Sequence, residues 1–186
     1  VRASNNNYMS GWSPAWSFTT ESGLDEQTIS LNTGWNMISG YIVPSNPDIT
    51  SIFAGMSKSL KLVKNGAGQL YNPSMGINTI VNWNQFDGYL VLMKSPAQIN
   101  ILGEQIEPEE TPLNLLSGWN LSAYFRDNDM SPATALASVT TSLVLAKNNV
   151  GGIYMPSFGI NTIGDMHPGQ GYYFYMDAAA ELTYPA

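Results

Sequence analysis

The stretch PSMGINTI at residues 73–80 returns as PSFGINTI at residues 156–163. Seven of the eight residues match, 83 positions apart, in a chain of 186. The match extends in both directions. SLKLVKNGAGQLYNPS (59–74) aligns without a gap with SLVLAKNNVGGIYMPS (142–157), and before them LNTGWNMISGY (31–41) answers LLSGWNLSAY (115–124). Downstream, DGYLVLM (87–93) answers QGYYFYM (170–176), each followed by a hairpin return, QINIL or ELTYP. The chain is an internal duplication, and comparing its halves shows what both copies retain.

The retained residues predict short strands joined by tight turns. Apolar alternation in 60–64 and 143–147 fits a strand with one buried face. Asn65-Gly66 and Asn148-Asn149 supply the positive φ of a hairpin turn. Gly76 and Gly159 stand where a side chain would clash, and Asn78-Thr79 and Asn161-Thr162 can hydrogen-bond their own backbone. Each copy also holds one helix start, Asp48 in the first and Ser131-Pro132 in the second. Ile49, Ile52, Phe53 and Met56 then follow a helical stripe.

The expected fold is therefore mainly β with minor α+β character. Two repeated units, 29–102 and 113–186, each carry five or six strands and one short helix. A unit of about 70 residues has a thin core. The copies are thus expected to pack as a pseudo-twofold pair around a shared hydrophobic interior, barrel- or sandwich-like. The acidic, Pro-containing GEQIEPEETP (103–112) reads as a solvated linker, as does 22–28.

Composition excludes several classes of function. Only 7 Lys and Arg stand against 14 Asp and Glu, for a net charge of −7, and the basic residues form no stripe. A nucleic-acid backbone would find little to hold it. No apolar run reaches the ~20 residues that a membrane-crossing helix needs. Without cysteine there are no disulfides and no thiolate metal sites. The opening Val1-Arg2-Ala3-Ser4 reads as the middle of a longer protein.

Two resemblances follow from these phrases. LLSGWNLS at 115–122 and PGQGYYFYM at 168–176 resemble a module of large secreted and cell-surface proteins of bacteria and archaea. The likeness covers about 155 residues by the span of both units, although QFDGYLVLM departs from it in the first copy. VRASNNNYMSGWSPAWSFTTE (1–21) resembles the last two strands of a fibronectin type III domain, with Trp12, Trp16 and Phe18 as its orphaned apolar side chains. The resemblance implies an accessory part of an exported multidomain protein, with the neighbouring domains of the parent chain as partners.

No catalytic constellation stands out. The acids cluster in 21–26 and 104–110, both linker-like, whereas a glycosidase needs two carboxylates facing across a substrate. His167 is the only histidine, in a turn, with no nucleophile motif near it. The chain is expected to be non-enzymatic and without a cofactor. Asp127 and Asp129 in FRDNDMS offer oxygen ligands to calcium, but the full loop pattern is missing.

Aromatic residues offer the remaining handle, because sugar C–H faces stack on exposed rings while amides read hydroxyls. Trp35 and Trp119, present in both copies, are expected in the core with Tyr89 and Tyr172. Trp83 has no aromatic counterpart, since Met166 takes its place. With Asn82, Asn84 and Gln85 beside it, and Tyr71 and Tyr154 at the same edge, it is the candidate carbohydrate contact. The expected function is binding to a polysaccharide or cell-surface glycan outside the cell. The alternative is a structural or assembly role as spacer, anchor or fibre subunit.

Overall fold

In each unit the GWN turn follows the first strand. Gly34 (φ 92°) and Gly118 (φ 91°) take left-handed conformations that L side chains adopt only at a cost. The neighbouring asparagine clamps the turn. Asn36 Oδ1 accepts from the Asn32 N–H at 2.8 Å and its Nδ2 donates to the Asn32 carbonyl at 2.7 Å. Asn120 repeats both bonds with Leu116, at 2.9 and 2.7 Å. Thus two of the three motif residues are consumed in making the turn.

The structure, a computed structural model, describes residues 23–186; the fibronectin-like stretch lies outside the described residues. The first unit runs β1 (Asp25–Leu31), β2 (Gly34–Ile38), β3 (Ile42–Pro44), α1 (Ile49–Ile52), β4 (Leu60–Asn65), β5 (Leu70–Asn72), β6 (Ile77–Asn78), β7 (Tyr89–Met93) and β8 (Ala97–Gln105). The second runs β9 (Leu113–Leu115), β10 (Gly118–Ser122), α2 (Pro132–Ala135), β11 (Leu143–Lys147), β12 (Ile153–Met155), β13 (Ile160–Asn161), β14 (Tyr172–Met176) and β15 (Ala180–Leu182). All strand pairs are antiparallel.

In each unit a five-stranded sheet faces a smaller one. The orders are β2-β7-β4-β5-β6 against β1-β8-β3, and β10-β14-β11-β12-β13 against β15-β9. The repeated phrase that reveals the duplication is a local device. Pro73 and Pro156 open 3-10 turns that end at left-handed Gly76 and Gly159. Thr79 then ties back to Leu70, and Thr162 to Ile153, through both the main chain and the hydroxyl. The helix caps are as expected: Asp48 accepts from the Thr50 N–H and Ser131 from the Thr134 N–H. Neither helix exceeds four residues, and Phe53 and Met56 lie beyond the helical turn.

Three expectations are corrected. First, the interior is not shared: one buried cluster contains Ile42, Val63, Tyr89, Val91 and Ile99, the other Tyr124, Phe125, Tyr172, Phe174 and Tyr184. Each small sheet closes a sandwich inside its own unit. Second, residues 25–28 are not a linker, because β1 pairs with β8 over all seven of its residues. Gln27 within it is buried and its Oε1 accepts from the Tyr41 N–H at 2.9 Å. Third, Gly103–Gln105 belongs to β8 and pairs with β3, while Ile106 is buried in the second unit's core. The acidic side chains of both stretches are exposed.

The units meet through reciprocal backbone pairing. Residues just before β7 bind the outer edge of β10, where Gly88 N–H donates to Leu121 O at 3.0 Å and Ala123 N–H to Phe86 O at 3.2 Å. Residues just before β14 bind the outer edge of β2 in the same way. There Gly171 N–H donates to Met37 O at 3.1 Å and Ser39 N–H to Gly169 O at 3.0 Å. The matched bonds are the twofold pattern expected of a duplicated pair.

Candidate functional site

Trp83 does not lie on the surface. It is 3% exposed and stacks on Tyr89 with ring centroids 4.3 Å apart. Its indole N–H has no hydrogen-bond partner among the described residues. Met166 is equally buried at the matching place in the second unit, so the position is interior in both copies and differs only in how its volume is filled. Tyr154 is also buried, and Tyr71 packs against the first core opposite Val63. Asn82 and Asn84 are exposed, with Gln85 half-buried, but the Asn84 side chain is used in its own loop, accepting from the Phe86 N–H. The expected groove around Trp83 is therefore not assembled.

Conversely, the tryptophans expected inside are outside. Trp35 is 49% exposed and Trp119 56%. Both sit on the outer face of a five-stranded sheet, the face turned away from the core. On the second unit, Trp119 pairs with Tyr175, and Tyr175 in turn with Leu145. Tyr173 lies one step along the same face, opposite Leu121 and Lys147. The indole meets Tyr175 at 5.1 Å and Tyr173 edge-on at 5.8 Å. Tyr175 is 39% exposed. In the first unit the same positions hold Trp35, Leu92, Leu62 and Leu90, so the face is aliphatic apart from its tryptophan.

Sequence reasoning missed this platform for a definite reason. In Tyr172–Met176 both faces of the strand are apolar or aromatic, which erases the period-2 contrast that would mark an outer face. The signal that was available is the GWN phrase. Its Gly and Asn are needed by the turn, and its Trp is retained without a buried role.

The remaining candidates sit elsewhere. His167 Nδ1 lies 2.9 Å from Asp129 Oδ1, with both side chains about half exposed. Asp127 Oδ2 accepts from Gln105 Nε2 at 3.2 Å. Among the described residues no three His, Asp or Glu side chains group closely enough to hold a metal ion. Nor is any helix among them long and apolar enough to cross a membrane. Burial raises the pKa of the core phenols, Tyr124 to about 12 and Tyr89 and Tyr172 further. Comparison with protein-family models, with curated proteins and with solved structures finds no significant match.

Proposed function

We propose that this chain is a non-catalytic accessory module of an exported protein, and that it binds polysaccharide through the outer face of its second sheet. The observation that carries the reading is the pair of solvent-facing tryptophans at identical places in two diverged units, one of them set in a Trp119–Tyr173–Tyr175 cluster. A rigid aromatic face on a sheet offers C–H stacking at little entropic cost. The net charge of −7 favours neutral over acidic glycans.

Pull-down on insoluble cellulose, xylan, chitin and algal glycans tests the proposal. Binding to at least one is expected, with Trp119→Ala weakening it by about tenfold, the loss of one stacked ring at about 1–1.5 kcal/mol. Trp35→Ala should have a smaller effect, because only leucines flank Trp35. Retention by none of these glycans, or undiminished retention of Trp119→Ala, would refute the platform.

A second reading rests on the first unit's outer face, where Leu62, Leu90 and Leu92 surround Trp35 half-buried. Such a face suits packing against a neighbouring domain or chain. Under that structural reading Leu90→Lys would abolish a self-association visible by sedimentation, and glycan binding would be absent.

A further inference from the structure

The twofold pattern is broken at one place, and the break opens a cleft. On the sealed side, the first unit's hairpin lies so close to β10 that a Cβ at Gly66 would sit 3.3 Å from Leu121 Cβ. Beside it the Phe86 ring packs edge-on against Phe125, centroids 5.8 Å apart. The matching residues across the seam are Asn149 for Gly66 and Gly169 for Phe86. Asn149 reaches from its hairpin to β2 through its side chain, donating to the Trp35 carbonyl at 3.0 Å. Gly169 (φ 79°) places no ring in the gap, and a Cβ there would already reach Ile29 Cγ1 at 3.4 Å. On this side β1 adds a seven-residue wall where the second unit has only the three residues of β9.

The result is a cleft of about 550 Å³ between the units, within the range of small-ligand sites. Its polar lining includes Thr28, Ser30, Asn32, Asn149, His167 and Gln170, with no Asp, Glu, Lys or Arg among the lining residues. Ile29, Met37 and Pro168 supply apolar patches. The β2 edge beneath it is not free to accept a peptide strand, since Asn149 Nδ2 takes the Trp35 carbonyl and Gly171 N–H the Met37 carbonyl. What faces a ligand is a set of amides and hydroxyls with one imidazole, beside small apolar surfaces. That is the chemistry that reads sugar hydroxyls and C–H faces together.

We infer that this cleft is a second binding site, one that takes the end or a short run of a soluble neutral oligosaccharide. The inference shares with the platform the reading that the chain binds glycan, but it uses none of the platform's residues. The test is titration of the full chain with neutral gluco-, xylo-, manno- and chito-oligosaccharides, followed by NMR. The imidazole C–H signals of His167, the chain's single histidine, report on the cleft. Saturable shifts are expected with one of these series. Filling the cleft from an exposed strand position, by Ser30→Trp or separately by Thr28→Phe, should weaken binding by about tenfold or more with the fold intact by circular dichroism. Trp119→Ala should leave the shifts unchanged while altering retention on insoluble glycan, so the two sites fail separately. The inference is overturned if no neutral oligosaccharide moves the His167 signals, if the shifts persist in both filled variants, or if only a peptide or a charged ligand produces them.

Discussion

The three tryptophans of the described units are the same residue in opposite settings, and the difference is measurable. Trp83 is enclosed by the first core and stacked on Tyr89, so Trp83→Ala should cost about 3–5 kcal/mol through lost burial and a residual cavity. Trp35 and Trp119 keep about half their surface in water, and alanine at either should cost no more than about 0.5–1 kcal/mol. Urea denaturation of the three variants checks this, and equal losses at all three would mean that the outer faces are load-carrying core. Sequence comparison inverted the assignment because duplicated copies retain surface chemistry as well as interior packing. The missed clue at Trp83 is local: Asn82 and Asn84 are exposed on either side of it, a polar–apolar–polar alternation that turns the central ring inward.

Elements whose cause is local were legible in advance. The two helix caps act within a few residues and appear where turn chemistry puts them. The hairpins' positive φ falls on Gly68 and Gly151, not on Asn65-Gly66 or Asn148-Asn149; those first asparagines accept from the Gln69 and Gly152 N–H groups. Gly76 and Gly159 are needed for their left-handed φ, since a Cβ there would meet open space. Strands β1 and the far end of β8 were hidden because their outward residues are acidic and mimic a linker, while their inward ones are a glutamine and a glycine. Gly103 marks the hidden strand most sharply: a Cβ there would stand 1.9 Å from the Val43 carbonyl oxygen, where β3 crosses β8. Gly103→Ala must therefore push β3 away and break its ladder, at a cost of about 3 kcal/mol or more. Gly23→Ala, with open space around it, is the neutral control. Hydrogen exchange should show lost protection in 42–45 and 102–106 in the Gly103 variant. Unchanged protection there would remove β3 from the sheet.

At the scale of the whole molecule, the matching Asp87↔Ser122 and Ile38↔Gln170 bridges hold two independent cores together, an arrangement that the repeat alone could not distinguish from a shared interior. The two seams match in geometry but differ in charge, since Asp87 occupies the place that Gln170 fills in the second unit. Burial raises the pKa of Asp87, and hydrogen bonds from Asn65 and Asn84 offset this only in part. A carboxyl that holds its proton more tightly when folded favours the folded state fully below its unfolded value near 3.8, and that contribution is lost as pH rises through the higher folded value. At pH 7 the ionised Asp87 therefore strains the first seam, whereas neutral Gln170 leaves the second unaffected. Asp87→Asn keeps an oxygen that can accept the Asn65 Nδ2 bond, now 3.2 Å long, and removes the charge. It should raise the melting temperature at pH 7 by about 2 °C, modest because the carboxylate remains partly solvated. The gain should shrink as the pH is lowered through the raised folded value and vanish only well below the unfolded value near 3.8, where wild-type Asp87 is protonated in both states. A gain that is the same at pH 4 and pH 7, or a loss at pH 7, would show that the buried charge of Asp87 does not weaken this seam.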